Sequence, residues 1–436
     1  MPSPLKQGGN EMNLPNNGRI VLIDDDAKEV QPLLNALGRL PVPYIYYDGS
    51  WDNLPANPAG GVRCVFLDIE LQGMQGQDSK TKASGITGIL KKIISDSNGP
   101  YVIIFWTRHE EIIEAVLRNC SESYIPPVAW INMEKSEWMN GDGGDNINKL
   151  LKALHEKLGP IGAFLLYVGW ENILNDSCKQ FIADFSSLVP TGDNWSRDTF
   201  FVFYNLYKTF VGKDILDEQT EMFRCACHLM NRSFLDTLEN KTSAELEIPE
   251  GSELIQGAIS DETKARLNSS LFIGANILKR PSTGNIYPIT NGSLLNCLKD
   301  NIFKSGQEPD QIKLCCVIIT PECDLAQKKV ITFKGPKDEE YRVHRVVYGI
   351  YFPTSENSKA MNYRFNSEGK DAYFHIGPLW YDKQRLKVVI HSSTIAILSA
   401  DKFSEDPLFR IKRDLLFDLQ SKIANHVNRL GNYQLS

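Results

Sequence analysis

The chain has 436 residues, room for roughly two or three domains. With 47 Lys and Arg against 54 Asp and Glu its formal net charge is −7. That argues against a dedicated nucleic-acid binder, because phosphate binding concentrates Lys and Arg. Its nine cysteines show no regular spacing, which reads as a reduced, cytoplasmic protein rather than a disulfide scaffold.

Residues 1–18, MPSPLKQGGNEMNLPNNG, are polar and rich in Pro, Gly and Asn. They lack the apolar run of a signal peptide and are expected to form a flexible tail. Residues 19–158 then alternate strand and helix signals. RIVLI, PYIYY, GGVRCVFLDIEL, YVIIFWT and PVAWINM read as five strands. AKEVQPLLNALGRL, ITGILKKIISDS, EEIIEAVLRNC and NINKLLKALHEKLG space their apolar residues as helices. Five βα units with nearly continuous apolar strands predict an α/β fold, a doubly wound parallel sheet covered on both faces. The loop from Leu71 to Ser84 is expected to be long and polar.

Residues 159–265 show helical patterns and no strand pattern. Their most apolar window, IGAFLLYVGW at 161–170, is about half the length of a membrane-spanning helix, so a buried helix and no membrane association are expected. Residues 266–436 read as an α+β domain, a curled sheet or small barrel packed with helices. Its expected strands are LFIGANIL, KLCCVIIT, KVITF, RVHRVVYGIYF, AYFHI and LKVVIHSSTIAIL. Segments 281–293 and 353–371 are rich in turn residues and read as loops. DPLFRIKRDLLFDLQSKIANHVNRLG reads as one closing helix.

The residues at the C-terminal end of each strand in the first region carry the chemistry. RIVLI runs into Asp24 and Asp25, the third strand ends at Asp68, the fourth at Thr107, and Lys135 comes just after the fifth. In a doubly wound sheet all five face one edge, where sites form. Three carboxylates there repel one another and make a hard oxygen site suited to Mg²⁺. A hydroxyl and an ammonium beside them suit phosphoryl oxygens. The set describes a carboxylate nucleophile that accepts a phosphoryl group with the help of a metal. A single aspartate at a strand end usually just caps the next helix; the ordered set of five is what carries the reading.

On these residues, 19–158 resembles the receiver domain of two-component response regulators. The resemblance implies that Asp68 is the phosphoacceptor and that Asp24, Asp25 and Asp68, with the backbone carbonyl of Glu70, form the Mg²⁺ site. Thr107 and Lys135 would hold the phosphoryl oxygens. The donor would be a phosphohistidine on a histidine kinase or phosphotransfer protein. The sequence departs from the family where Ser136 succeeds Lys135, where Arg108 succeeds Thr107, and where Asn132 stands in place of the aromatic switch residue. Trp130 is expected on the opposite face of that strand from Asn132. Glu70 places a carboxylate near the position of the attacking water.

Past the receiver, CCVIITPECDLAQKKV at 315–330 places Cys323 and Asp324 after an apolar strand. They are either a strand–turn–helix junction with Asp as cap or a site of their own, alone or with His344, His375 or His391. CACH at 225–228 has the wrong spacing for a zinc knuckle and reads as helix packing. No helix-turn-helix with a basic recognition helix comes after the receiver. The whole chain resembles receiver-bearing proteins of bacterial phage-defence loci such as Detocs. Three outputs are therefore expected to compete: a non-DNA-binding signalling module that meets a second protein, a phosphate sink that competes with another regulator, and an effector enzyme at Cys323/Asp324 gated by the receiver.

Overall fold

The structure, a computed structural model, describes residues 19–39, 42–107, 110–134, 145–211, 219–245, 257–274, 281–303, 309, 311–321, 325, 332–334, 340–354, 372–403 and 405–427. Its contacts divide the chain into two compact units, Met1–Thr199 with His228–Ile255, and Phe200–Cys227 with Gln256–Ser436.

The first unit is built on five short parallel strands: β1 (Ile20–Ile23), β2 (Tyr44–Tyr47), β3 (Cys64–Leu67), β4 (Val102–Phe105) and β5 (Ala129–Asn132), in the order β2-β1-β3-β4-β5. This is the flavodoxin-like doubly wound order, with its topological switch between β1 and β3. In β1, β3 and β4 all four residues are apolar and buried on both sides, which explains why these runs do not alternate with polar residues. Successive side chains point to opposite faces. Val21, Ile23, Val65, Leu67, Ile103 and Phe105 pack toward α2 (Ser79–Ile93) and α3 (Ile113–Glu122). Ile20, Leu22, Cys64, Phe66, Val102 and Ile104 pack toward α1 (Ala27–Arg39), α4 (Asp145–Leu158) and the start of α5 (Gly162–Ser186).

Three sequence expectations need correction here. No α-helix crosses between β2 and β3; a single 3-10 turn, Trp51–Asn53, stands there. The sequence between them, DGSWDNLPANPAGGVR, is dense in Gly, Pro, Asn and Asp, which punctuate the chain. The second half of the expected loop 71–84 is helical, because Asp78 caps α2 by accepting from the backbone of Lys80 and Thr81. The apolar window at 161–170 is buried on one face only: Phe164, Leu165 and Val168 enter the core, while Leu166, Tyr167 and Trp170 are exposed.

The helical stretch continues as α6 (Trp195–Val211) and α7 (Gln219–Glu245). Cys225 of the CACH segment packs with Tyr207 and Met222, as core packing requires. In the second unit α8 (Asp261–Phe272) leads into an antiparallel eight-stranded sheet. Its strands are β6 (Ile273–Gly274), β7 (Asn285–Ile289), β8 (Lys313–Ile318), β9 (Thr332–Lys334), β10 (Glu340–Pro353), β11 (Tyr373–Tyr381), β12 (Gln384–Ser399) and β13 (Phe409–Ile411). The path β11-β12-β10-β8-β7-β13-β6 makes a curled half-barrel, and its described pairings do not close. Long β10 and β12 change register at Val347/Gly349. Gly349 admits the bend, since a Cβ there would sit 2.6 Å from the Val389 carbonyl.

Two further expectations fail in this unit. Segment 281–293 is not a loop: NIYPI forms β7, and α9 (Gly292–Ile302) comes next, capped by Asn291. The closing helix starts later than expected. Phe409 and Ile411 alternate into the core as β13, and only Arg413–Val427 is helical, as α10. Segment 355–371, Cys323 and Asp324 lie outside the described residues.

Candidate functional site

The backbone ladder runs one residue past the strands and so sets the aspartates. Asp24 N–H donates to the Tyr47 carbonyl at 3.1 Å, and Asp68 N–H donates to the Ile23 carbonyl at 2.9 Å. Trp106 N–H donates to Leu67 at 2.8 Å, which brings Thr107 to the same edge. That edge is the C-terminal one, beside the β1/β3 switch point, where doubly wound sheets bind their ligands.

Carboxylate oxygens of Asp24, Asp25 and Asp68 lie within 4.8 Å of one another. Asp24, Asp68 and Thr107 are 1%, 5% and 2% exposed, and Asp25 is half-buried. Each pair of such charges repels by about 3 kcal/mol at an effective dielectric of about 20. Part of this is offset locally. Asp24 Oδ1 accepts from the Asp26 N–H at 2.9 Å, and Asp68 Oδ1 accepts from Ile69 at 2.7 Å and Glu70 at 3.3 Å. Tyr46 donates its hydroxyl to the Asp24 carbonyl at 2.6 Å. Burial, then the charges of Asp24, Asp48, Asp25 and Asp26, push the Tyr46 phenol up, so it stays a donor. Asp26 does what an isolated aspartate at a strand end does: its Oδ1 accepts from Lys28 N–H at 2.8 Å at the start of α1.

The expected site residues thus fall into three groups. Asp24, Asp25 and Asp68 come together, with Thr107 at the end of the neighbouring strand. Glu70 lies two residues past Asp68, and its carboxylate pairs with the ammonium of Lys82 on α2. Lys135, Arg108 and Ser136 lie outside the described residues. Asn132 closes β5 and donates to Glu110 Oε1 at 2.7 Å. Trp130 shares its face, because residues two apart in a strand point the same way; the opposite placement expected from sequence is wrong. The Trp130 ring meets Phe105 edge-on at 6.1 Å. Lys82 is the residue that sequence reasoning missed. Its signal was Asp78, the cap that starts α2 about two turns earlier than the apolar periodicity does.

Three clustered carboxylates, mostly buried, fit a hard divalent cation by donor chemistry. Among the described residues this is the one group of three or more His, Cys, Asp or Glu side chains so gathered. A divalent cation bound there would offset the repulsion and draw phosphoryl oxygens toward Asp68.

The opposite, N-terminal edge of the sheet is basic and internally paired. Arg63 Nε meets Glu171 Oε2 of α5 at 2.8 Å, and Arg19 Nη1 meets Oε1 at 3.3 Å. Arg63 Nη1 also donates to the carbonyls of Val62, Asn98 and Pro100 at 3.0–3.3 Å. Arg19 lies across Gly61, where a Cβ would sit 1.5 Å from Nη1 and φ is +76°. Only glycine suits that crossing.

No protein-family model matches this chain, and no curated protein matches it. Solved structures with similarity to it include full-length FixJ from B. japonicum, at 15% identity over 53% of this chain and 94% of that one, with a TM-score of 0.21. Another is a fusion carrying amino acids 181–211 of the yeast Spc42 trimeric coiled coil, at 14% identity over 32% and 82%, with a TM-score of 0.16. Superpositions this slight carry no argument about function. The flavodoxin-like α/β fold rests on the strand order. Among the described residues no helix is long and apolar enough to cross a membrane.

Proposed function

We propose that this protein is a phosphoacceptor of the receiver kind. Asp68 takes a phosphoryl group from the phosphohistidine of a histidine kinase or phosphotransfer protein. Asp24, Asp25 and Asp68, with the Glu70 carbonyl, hold Mg²⁺. Thr107 and Lys135 bind phosphoryl oxygens, and the second unit serves as a signalling module that does not bind DNA. The observation that carries this reading is the gathering of three carboxylates at the switch-point edge of a 2-1-3-4-5 parallel sheet. A cluster that costs folding energy in itself is characteristic of a functional site. Chemically, the Asp68 carboxylate attacks phosphorus and the bond to the donor nitrogen breaks. An acyl phosphate on Asp68 and a free histidine on the donor result.

The test is incubation of the full chain with Mg²⁺ and acetyl phosphate, then intact mass measurement. One added phosphoryl group is expected on the wild type, none on Asp68→Ala, and none on the wild type with the metal chelated. Equal gains on wild type and Asp68→Ala, or no gain from either acetyl phosphate or a phosphorylated histidine kinase, would contradict the proposal.

A further inference from the structure

The second unit has a cavity of about 430 Å³ where β7 gives way to α9 and β8 begins. That volume is within the range of small-molecule sites, which combine apolar walls with a few convergent polar groups. Leu314, buried, and Ile289, Leu295 and Ile312, half-buried, give this cavity its apolar walls. Lys313, Tyr351 and Glu405 also line it.

Strand pairing brings two of these polar residues together. Lys313 of β8 lies directly opposite Tyr351 of β10, so both side chains leave the sheet on one face, with Cβ atoms about 5 Å apart. Glu405 comes from the segment between β12 and β13. It is close enough for its charge to add to burial, Cys315 and Tyr381 in pushing the Tyr351 phenol up, so the phenol stays a donor. Among the described residues, neither Lys313 nor Glu405 forms an ion pair, and the Tyr351 hydroxyl donates to no acceptor. Opposite charges that line one small cavity without closing on each other leave each available to a ligand group of the other sign. The wall is open at Gly292, where a Cβ would meet nothing within 4 Å.

We propose that this cavity binds a small zwitterion with an apolar body, a branched-chain amino acid or a short peptide built from one. Lys313 takes the carboxylate, Tyr351 donates to it, and Glu405 takes the ammonium. The apolar side chain lies on Ile289, Leu295, Ile312 and Leu314. The acidic cluster of the first unit plays no part in this site, so the two readings stand or fall separately.

The experiment is calorimetric titration of the full chain with leucine and with leucyl-leucine. Two half-ligands run beside them: isocaproate, which lacks the ammonium, and isoamylamine, which lacks the carboxylate. One of the zwitterions is expected to bind about tenfold more tightly than either half-ligand, the scale of one charge-assisted hydrogen bond. Which of the two binds better separates the free amino acid from the peptide. Glu405→Gln is expected to erase the preference over isocaproate, and Lys313→Gln the preference over isoamylamine. Gly292→Leu fills the open wall and is expected to abolish binding of every probe. All three positions are exposed, so melting without ligand is expected to match the wild type. The comparison among the four probes on the wild type alone stays decisive if a variant does not fold. No binding of either zwitterion to the wild type, half-ligands that bind as well as the zwitterions, or charge variants that fold and keep the wild-type preferences would each overturn the proposal.

Discussion

At the N-terminal end of the parallel sheet, Arg19 and Arg63 converge on Glu171. At the C-terminal end, about one strand length away, Asp24, Asp25 and Asp68 crowd together. The first end brings opposite charges together with carbonyls to complete the hydrogen bonding, and so fastens α5 to the starts of β1 and β3. The second end gathers like charges where folding alone gives no reason to put them. One sheet thus separates a charge cluster that stabilises from one that, on the function proposed above, is held for a cation. The second unit supplies a third case. His375 lies near Lys387 and Lys422, and burial, then these two charges, push its imidazole down to about 4. Burial and like charge are relieved there by giving up a proton.

The comparison breaks most visibly at Glu171. Glu171→Ala leaves two guanidinium groups facing each other, with the Arg63 side chain only 13% exposed, and is expected to cost about 3 kcal/mol of unfolding free energy. Chemical denaturation with the full chain would measure it. A loss below about 1 kcal/mol would mean that the basic end is solvated surface and that the contrast between the two ends is false.

A smaller effect sharpens the third case. The ordinary histidine value is 6.5 and the folded value about 4. Between these the unfolded chain binds the proton first, so stability falls as pH drops from about 6.5 to about 4 and is fully present above that window. His375→Gln is expected to flatten this slope in denaturation curves taken at several pH values. An unchanged slope would remove His375 from the comparison.

Much of the first unit was legible because its strands are nearly continuous apolar runs, and because four of the five lead into residues whose chemistry makes sense only at one shared edge. The misses have physical causes. The start of α2 is polar, SKTK, so apolar periodicity began at Ile86 and hid Lys82 in a supposed loop. β7 carries Pro288 and is flanked by turn residues, and its strand character comes from pairing with β8. β13 is three residues long and borders a strong helical pattern; its pairing with β7 and β6 overrides that pattern. Glu171 could not be read at all, since its partners lie 108 and 152 residues away in sequence.

The smallest expected shift is the most direct test of the claim that the acidic end is held for a cation. Melting of the wild type and of Asp25→Asn is measured with Mg²⁺ and with chelator. Without metal, Asp25→Asn relieves repulsion and is expected to be more stable by about 1 kcal/mol, a rise of a few degrees. Saturating Mg²⁺ at about a hundred times its dissociation constant should then stabilise the wild type by about 2.7 kcal/mol and the variant by much less. Equal gains in both proteins, or an Asp25→Asn variant that melts lower than the wild type in chelator, would contradict the account.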